Sequence, residues 1–153
     1  MLTEKIKQIA KAVRGRHATV DSVAAPIDPW KLDEFSQCEL TPRDPQFREG
    51  RIDVDRDYHN PHTPKGKQPI ESLDLTLAKG VELTPHTLER VFGKWHTVPP
   101  PPEGNPYQIV FYYPSDKAAL SVAVFAGLSG VPQKDATRVT SLTFRRDDFT
   151  HFH

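Results

Sequence analysis

Residues 107–113 read Y-Q-I-V-F-Y-Y, residues 120–126 read L-S-V-A-V-F-A, and residues 138–146 read R-V-T-S-L-T-F-R-R. In each stretch large apolar side chains alternate with smaller, polar or aromatic ones, which is typical of a strand with one buried face. Turn-forming residues separate the stretches at 114–117 and again at 127–136. The sequence therefore predicts three consecutive strands that pair as an antiparallel meander.

Two further elements precede this meander. Leu73, Leu75 and Leu77 alternate with polar residues, which predicts another half-buried strand from residue 70. Thr84 and Pro85 are suited to the N-cap and first position of a helix that Gly93 would end. We expect an α+β fold: an antiparallel sheet of four or five strands with the helix at 85–93 packed on one face.

The N-terminal half is less regular. Apolar residues at helical spacing predict an amphipathic helix over residues 1–15. Prolines interrupt residues 16–69, so we expect a proline-rich irregular segment that wraps around a helix-and-sheet core at 70–147. Within it, residues 29–35 favour a helical turn and residues 51–58 a short exposed or edge strand. All 153 residues are expected to form a single domain.

Composition excludes several classes of protein. The 20 Lys and Arg residues balance the 20 Asp and Glu residues, so the chain has no overall field that would attract nucleic acid. The single cysteine, Cys38, cannot form an internal disulfide, which indicates a reducing compartment. No apolar run approaches the length of a membrane span, and the N-terminus has no apolar core of a signal peptide. We expect a soluble, cytoplasmic protein.

Motifs for metal binding or catalysis are incomplete. His59 and His62 lie in a proline-broken loop, and the only other closely spaced pair is at the C-terminus. Asp53, Asp55 and Asp57 begin like a calcium loop, but Tyr58 and Pro64 occupy the positions of its glycine and glutamate. We therefore predict no metal, no cofactor and no catalytic residues. A small enzyme that uses His96 or the His59 and His62 loop is kept as an alternative.

The second face of the predicted sheet is the candidate binding surface. It combines small, polar and aromatic side chains, a composition typical of protein interfaces if the face is open. The alternative is that the N-terminal half folds back over it. The acidic residues at 53, 55 and 57 would form a row of negative charge that either faces solvent or meets a basic partner. The predicted partner-binding residues are Trp95, Tyr112, Phe125, Thr143, Arg145, Asp53, Asp55 and Asp57.

Residues 83–147 carry a resemblance to known families. L-T-P-H-T-L-E-R-V-F-G-K-W at 83–95, followed by the three strand sequences, resembles the helix-plus-three-strand unit of β-lactamase-inhibitor-like proteins and outer-membrane assembly lipoproteins. It also looks like small bacterial immunity proteins encoded beside antibacterial toxins, including type VI secretion effectors. The lipoproteins require a lipidated cysteine near the start, which this sequence does not show. The resemblance therefore implies a protein that binds and occludes a cognate toxin; a structural component of a phage or secretion particle is a further alternative.

Overall fold

The computed structural model describes residues 2–15, 17–27, 29–32, 37–55, 62–98, 107–114 and 120–148. Three α-helices and eight strands lie within these ranges. The helices are α1 (Leu2–Arg14), α2 (Val20–Ala24) and α3 (Pro85–Phe92). The strands are β1 (Pro29–Leu32), β2 (Gln37–Pro42), β3 (Phe47–Val54), β4 (Ile70–Leu77), β5 (His96–Thr97), β6 (Gln108–Tyr113), β7 (Leu120–Leu128) and β8 (Val139–Asp148).

The strands form one antiparallel sheet in the order β1-β2-β3-β4-β8-β7-β6-β5. This confirms the α+β class and the meander β6-β7-β8, but the expected four or five strands were too few. The additional strands come mainly from residues 16–69, which were expected to be irregular and instead contain α2, β1, β2 and β3. The last strand, β8, lies between β4 and β7, so it joins the two halves of the sheet.

Two local predictions in the N-terminal half were wrong. The segment from Pro29 begins with strand β1 rather than a helical turn, and a proline is tolerated there because β1 is at the edge of the sheet. The strand predicted at 51–58 is β3, which starts earlier, at Phe47, and ends at Val54. It is an interior strand, because β2 and β4 pair with its two sides.

α1 and α3 contact each other and pack on the same face of the sheet, which we call the helix face, and α2 packs against α1. α1 lies across β7 and β8 and also contacts β4, α2 and α3. Its buried side chains recur every three or four residues, so one stripe of the helix meets the sheet. The core between the two layers contains Ile6, Ile9, Val13, Leu73, Leu75, Leu88, Phe111, Val124, Leu142 and Phe144, all at most 1% exposed.

The caps of α3 are those that the sequence predicts. The Thr84 hydroxyl accepts a hydrogen bond from the Thr87 backbone N–H at 3.2 Å, and Pro85 occupies the first turn. Gly93 follows the last helical residue with a φ of 89°, a conformation that favours glycine. Leu88 and Phe92 are buried, so α3 packs on the helix face as predicted.

Two polar contacts attach α1 to distant parts of the chain. The Arg146 Nη1 donates to the backbone oxygens of Val13 and Gly15, at 2.5 Å each, at the C-terminal end of the helix. Near the other end, the Lys5 ammonium forms an ion pair with Asp44 in the loop between β2 and β3. A cation at a helix C-terminus satisfies free carbonyl groups and interacts favourably with the helix dipole.

Candidate interaction surface

The face of the sheet opposite the helices is the outer face. Strand pairing arranges its side chains in transverse rows, because residues directly opposite one another in neighbouring strands point to the same side. The first row runs through Asp53, Ser72, Arg145, Ala123 and Tyr112. The second row runs through Glu39, Arg51, Asp74, Thr143, Phe125, Val110 and His96.

The end of the outer face over β5 to β8 is aromatic. The Arg145 guanidinium carbon lies 5.1 Å from the centroid of the Phe125 ring, within the range of a cation–π contact. The His96 and Tyr112 rings have centroids 5.4 Å apart. Arg145 is exposed, whereas Tyr112 and Phe125 are half-buried. The guanidinium and aromatic rings of these side chains therefore lie at the surface, and each is in contact with a neighbouring ring or guanidinium group.

The end over β2 to β4 is polar and charged. The Thr143 hydroxyl donates to the Asp74 carboxylate at 2.6 Å. The Asp53 carboxylate accepts from the Arg51 Nε and from the Ser72 hydroxyl, each at 3.3 Å. These bonds join β3 to β4 and β4 to β8, so they hold the polar side chains in place across three strands.

A concavity of about 580 Å³ lies over the charged end. Its lining comes from β2, β3 and β4 and consists mainly of polar side chains, which carry charges of both signs. Its charged members are Glu39, Arg48, Glu49, Arg51 and Asp74. A wide, polar concavity of this kind suits a protruding polar element of another macromolecule better than a small apolar ligand.

The outer face brings together five of the eight predicted partner-binding residues. Tyr112, Phe125, Thr143, Arg145 and Asp53 all belong to its two rows.

Trp95 does not join this group. Its ring lies 5.5 Å from the His86 ring and 6.5 Å from the Phe111 ring, centroid to centroid, and it packs against the core on the helix face. The reason is that Trp95 directly precedes His96, and successive side chains of an extended segment point to opposite sides. Trp95 therefore packs the end of α3 against the sheet and is not part of the outer face.

The predicted acidic row is interrupted as well. Asp53 lies on the outer face, but β3 ends at Val54, and pairing with β4 shifts register between Asp53 and Val54. Asp55 follows the strand; its N–H donates to the Pro69 oxygen, and its charge acts on Arg146. Asp57 lies outside the described residues. Because β3 ends at Val54, strand alternation no longer sets the direction of the Asp55 side chain.

No helix or strand within the described ranges packs across the outer face. α1 and α3 lie on the helix face, α2 packs against α1, and β1 to β3 extend the sheet instead of covering it. Several outer-face residues are nevertheless buried, among them Ser72, Val110, Ser121 and Ala123. Ala123 is small and lies between Tyr112 and Arg145 in its row, so larger neighbours shield it. The accessible part of this face therefore consists of the larger side chains.

Sequence reasoning missed several members of this surface. Asp74 could have been found, since it alternates with Leu73 and Leu75 in a strand that was predicted. Glu39 and Arg51 could not have been found, because their positions depend on the pairing of β2 with β3. The prolines and charged residues of these segments interrupt the alternation that would have predicted the two strands.

The histidine and metal hypotheses have the following outcome. Of the residues proposed for a His-dependent enzyme, His96 contacts Tyr112 on the outer face, His62 is exposed, and His59 lies outside the described residues. The C-terminal pair considered for metal binding, His151 and His153, also lies outside them. Within the part of the chain that the structure describes, no three His, Cys, Asp or Glu side chains come together as a metal site.

None of the described helices has the length and apolar character needed to cross a membrane. Searches with the sequence and with the structure found no match among protein-family models, curated proteins or solved structures.

Proposed function

We propose that this chain is a protein-binding module whose outer face is the binding surface. The observation that carries the proposal is the placement of Tyr112, Phe125 and Arg145 together on a sheet face that no described helix or strand covers. Tyrosine and arginine are the residue types that most often dominate binding energy at protein interfaces.

The surroundings of these residues support the same interpretation. Ser72, Asp74 and Thr143 provide polar groups beside the aromatic end, and the first and last of these side chains donate to carboxylates on neighbouring strands. A protein interface typically has aromatic anchors at its centre and a polar rim around them. Because the rim is held by hydrogen bonds across strands, little side-chain entropy is lost when a partner binds.

We further propose that the partner is a toxin, which the chain neutralises by covering its active site. This part rests on the resemblance of residues 83–147 to small bacterial immunity proteins. Neutralisation by occlusion requires a complementary surface and no catalytic group on the inhibitor.

The test is a quantitative pull-down from cells that contain the protein naturally, with three forms of the tagged chain. The first is the natural sequence, and the second carries Tyr112→Ala and Arg145→Ala. The third is a matched control, Tyr107→Ala and Arg90→Ala, which removes the same residue types outside the outer face. Circular dichroism and thermal unfolding establish that all three are folded.

We expect one dominant protein bound at about equal stoichiometry. The outer-face variant should lose more than about 2 kcal/mol of binding free energy, which corresponds to about a 30-fold weaker Kd, and the control should bind normally. Equal binding by all three forms would contradict the outer-face assignment. A captured partner without toxic activity would contradict the immunity role and leave the binding function intact.

A further inference from the structure

The formal net charge of zero conceals two surfaces of opposite sign. On the outer face, strands β2 to β4 carry four carboxylates but only two cations. The carboxylates are Glu39, Glu49, Asp53 and Asp74, and the cations are Arg48 and Arg51. Arg51 pairs with Asp53 at 3.3 Å and Arg48 pairs with Glu49 at 3.6 Å, so this part of the sheet keeps an excess of negative charge.

The solvent-facing side of α1 is positive. Lys7 and Lys11 are exposed and Arg14 is half-exposed, against a single acidic residue, Glu4. Residues 4, 7, 11 and 14 are spaced by three or four positions, so they form one stripe along the helix. The remaining lysine of the helix, Lys5, is already paired with Asp44.

The two surfaces also correspond in shape. Three of the four carboxylates, Glu39, Glu49 and Asp74, line the concavity of about 580 Å³ together with Arg48 and Arg51, so acidic side chains outnumber basic ones there. The exposed side of α1 is a convex cylinder.

We propose that the concavity over β2 to β4 binds α1 of a second copy of this chain. The two contacting surfaces differ, so the contact is head-to-tail, and each copy offers one surface of each kind. Association through it builds a closed ring or a linear array. This self-association goes beyond the proposed binding function and does not rest on it.

The first test is sedimentation velocity of the full chain without any partner. Concentration should range from about 10 μM to about 1 mM, where weak association becomes visible. We expect the weight-average sedimentation coefficient to rise with concentration in about 20 mM salt and to stay at the monomer value in about 500 mM salt, because salt screens exposed charges. A monomer throughout the low-salt series would overturn the proposal.

The decisive test reverses charge on each surface separately. Lys7→Glu with Lys11→Glu changes the helix, and Glu39→Lys with Glu49→Lys changes the concavity. Each double variant alone should associate at least tenfold more weakly than the natural chain, and an equimolar mixture should recover association because opposite charges then meet again. Lys134→Glu, in an exposed loop, is the control and should behave like the natural chain.

Two results would overturn the head-to-tail contact. One is natural self-association that persists when Lys7 and Lys11 are reversed; the other is a mixture of the two variants that stays monomeric. Circular dichroism establishes that each variant is folded, and Lys7→Gln with Lys11→Gln repeats the first test with a milder change that keeps the size of the side chains.

Discussion

Arg145 and Arg146 are neighbours in β8 with opposite surroundings. Arg145 is exposed on the outer face beside Phe125, whereas Arg146 reaches the C-terminal end of α1 and donates to two backbone oxygens there. Burial lowers the pKa of Arg146, and the charge of Asp55 opposes this shift. An arginine stays protonated despite such a shift, so its charge and its hydrogen bonds persist across the usual range of pH.

The two arginines should therefore differ in their contribution to stability. Arg146→Ala removes the guanidinium that donates to the Val13 and Gly15 oxygens at the end of α1, although the Ala18 N–H still donates to Gly15. We expect this variant to lower the free energy of unfolding by about 1–2 kcal/mol. Arg145→Ala should change it by less than about 0.5 kcal/mol. Urea unfolding followed by circular dichroism measures both. A loss for Arg146→Ala as small as that expected for Arg145→Ala would show that the contact with α1 contributes little to stability.

Asp44 provides a pH-dependent contribution. Burial acts to raise the pKa of Asp44, but hydrogen bonds from Lys5 and from the backbone and side chain of Gln46 outweigh it and hold the pKa below its ordinary value of 3.8. The folded state thus favours the charged form. The stabilisation is complete above pH 3.8 and is lost as the pH falls through the lower value of the folded state.

We expect Asp44→Asn to cost about 1 kcal/mol at neutral pH, because Asp44 is buried but Lys5 is partly exposed. The difference from the natural chain should shrink as the pH falls below 3.8 and through the lowered pKa of Asp44 in the folded state, because the carboxyl group then loses its charge. Urea unfolding across that range measures it. Asp135→Asn, in an exposed loop, is the control; a deficit for Asp44→Asn that did not change with pH would contradict the ionic interpretation.

At the scale of elements, α3 depends on the residue that caps its N-terminus, Thr84. The Thr84 hydroxyl satisfies the Thr87 N–H, which has no partner inside the helix. Thr84→Ala should lower the free energy of unfolding by about 1 kcal/mol, whereas Thr84→Ser keeps the hydroxyl and should cost less than half as much. Thermal unfolding monitored at 222 nm, where helices dominate the signal, compares the two variants. Identical losses would mean that the methyl group of Thr84 matters and the cap does not.

Local patterns predicted α1, α3, β4 and the meander because each of these elements has a clear period. Leu73, Leu75 and Leu77 alternate with polar residues, and Thr84 to Gly93 contains both helix caps. Such signals need only a few adjacent residues. The split of each meander strand into a core face and a mixed face also followed from alternation alone.

The strands of the N-terminal half could not be predicted in this way. Asp28 and Pro29 form the sequence pattern of a helix start, and the edge of the sheet accepts Pro29 instead. β3 contains the charged pair Arg48 and Glu49 beside Gly50, and its pairing with β4 shifts register at both ends. These irregularities destroy the alternation on which a strand prediction depends.

At the scale of the whole molecule, a single core connects both ends of the described chain. α1 packs on β7 and β8, and Ile9 is completely buried in that contact layer. Ile9→Ala should cost about 2–4 kcal/mol and shift the unfolding of the entire sheet. Tryptophan fluorescence and far-UV circular dichroism should report the same urea midpoint for this variant. Separate midpoints would show that α1 unfolds independently of the sheet.

The candidate surface was predictable to the extent that it depends on alternation. The positions of Tyr112, Phe125, Thr143 and Arg145 follow from the faces of three recognisable strands. The charged end could not be predicted, because it requires β3 to pair with β4 and β4 with β8. Those pairings join segments that are separated in the sequence, and no local pattern predicts which strands pair.

The position of β8 also determines the order in which the molecule can fold. Asp74 in β4 bonds to Thr143 in β8, 69 positions later in the chain. During synthesis, β4 leaves the ribosome well before the strand that will cover its edge, so its unpaired backbone groups are exposed for that interval. Pairings between such distant segments also slow folding, because a long loop must close before they form. A nascent chain of this protein therefore exposes one unpaired edge of β4 until β8 has been synthesised.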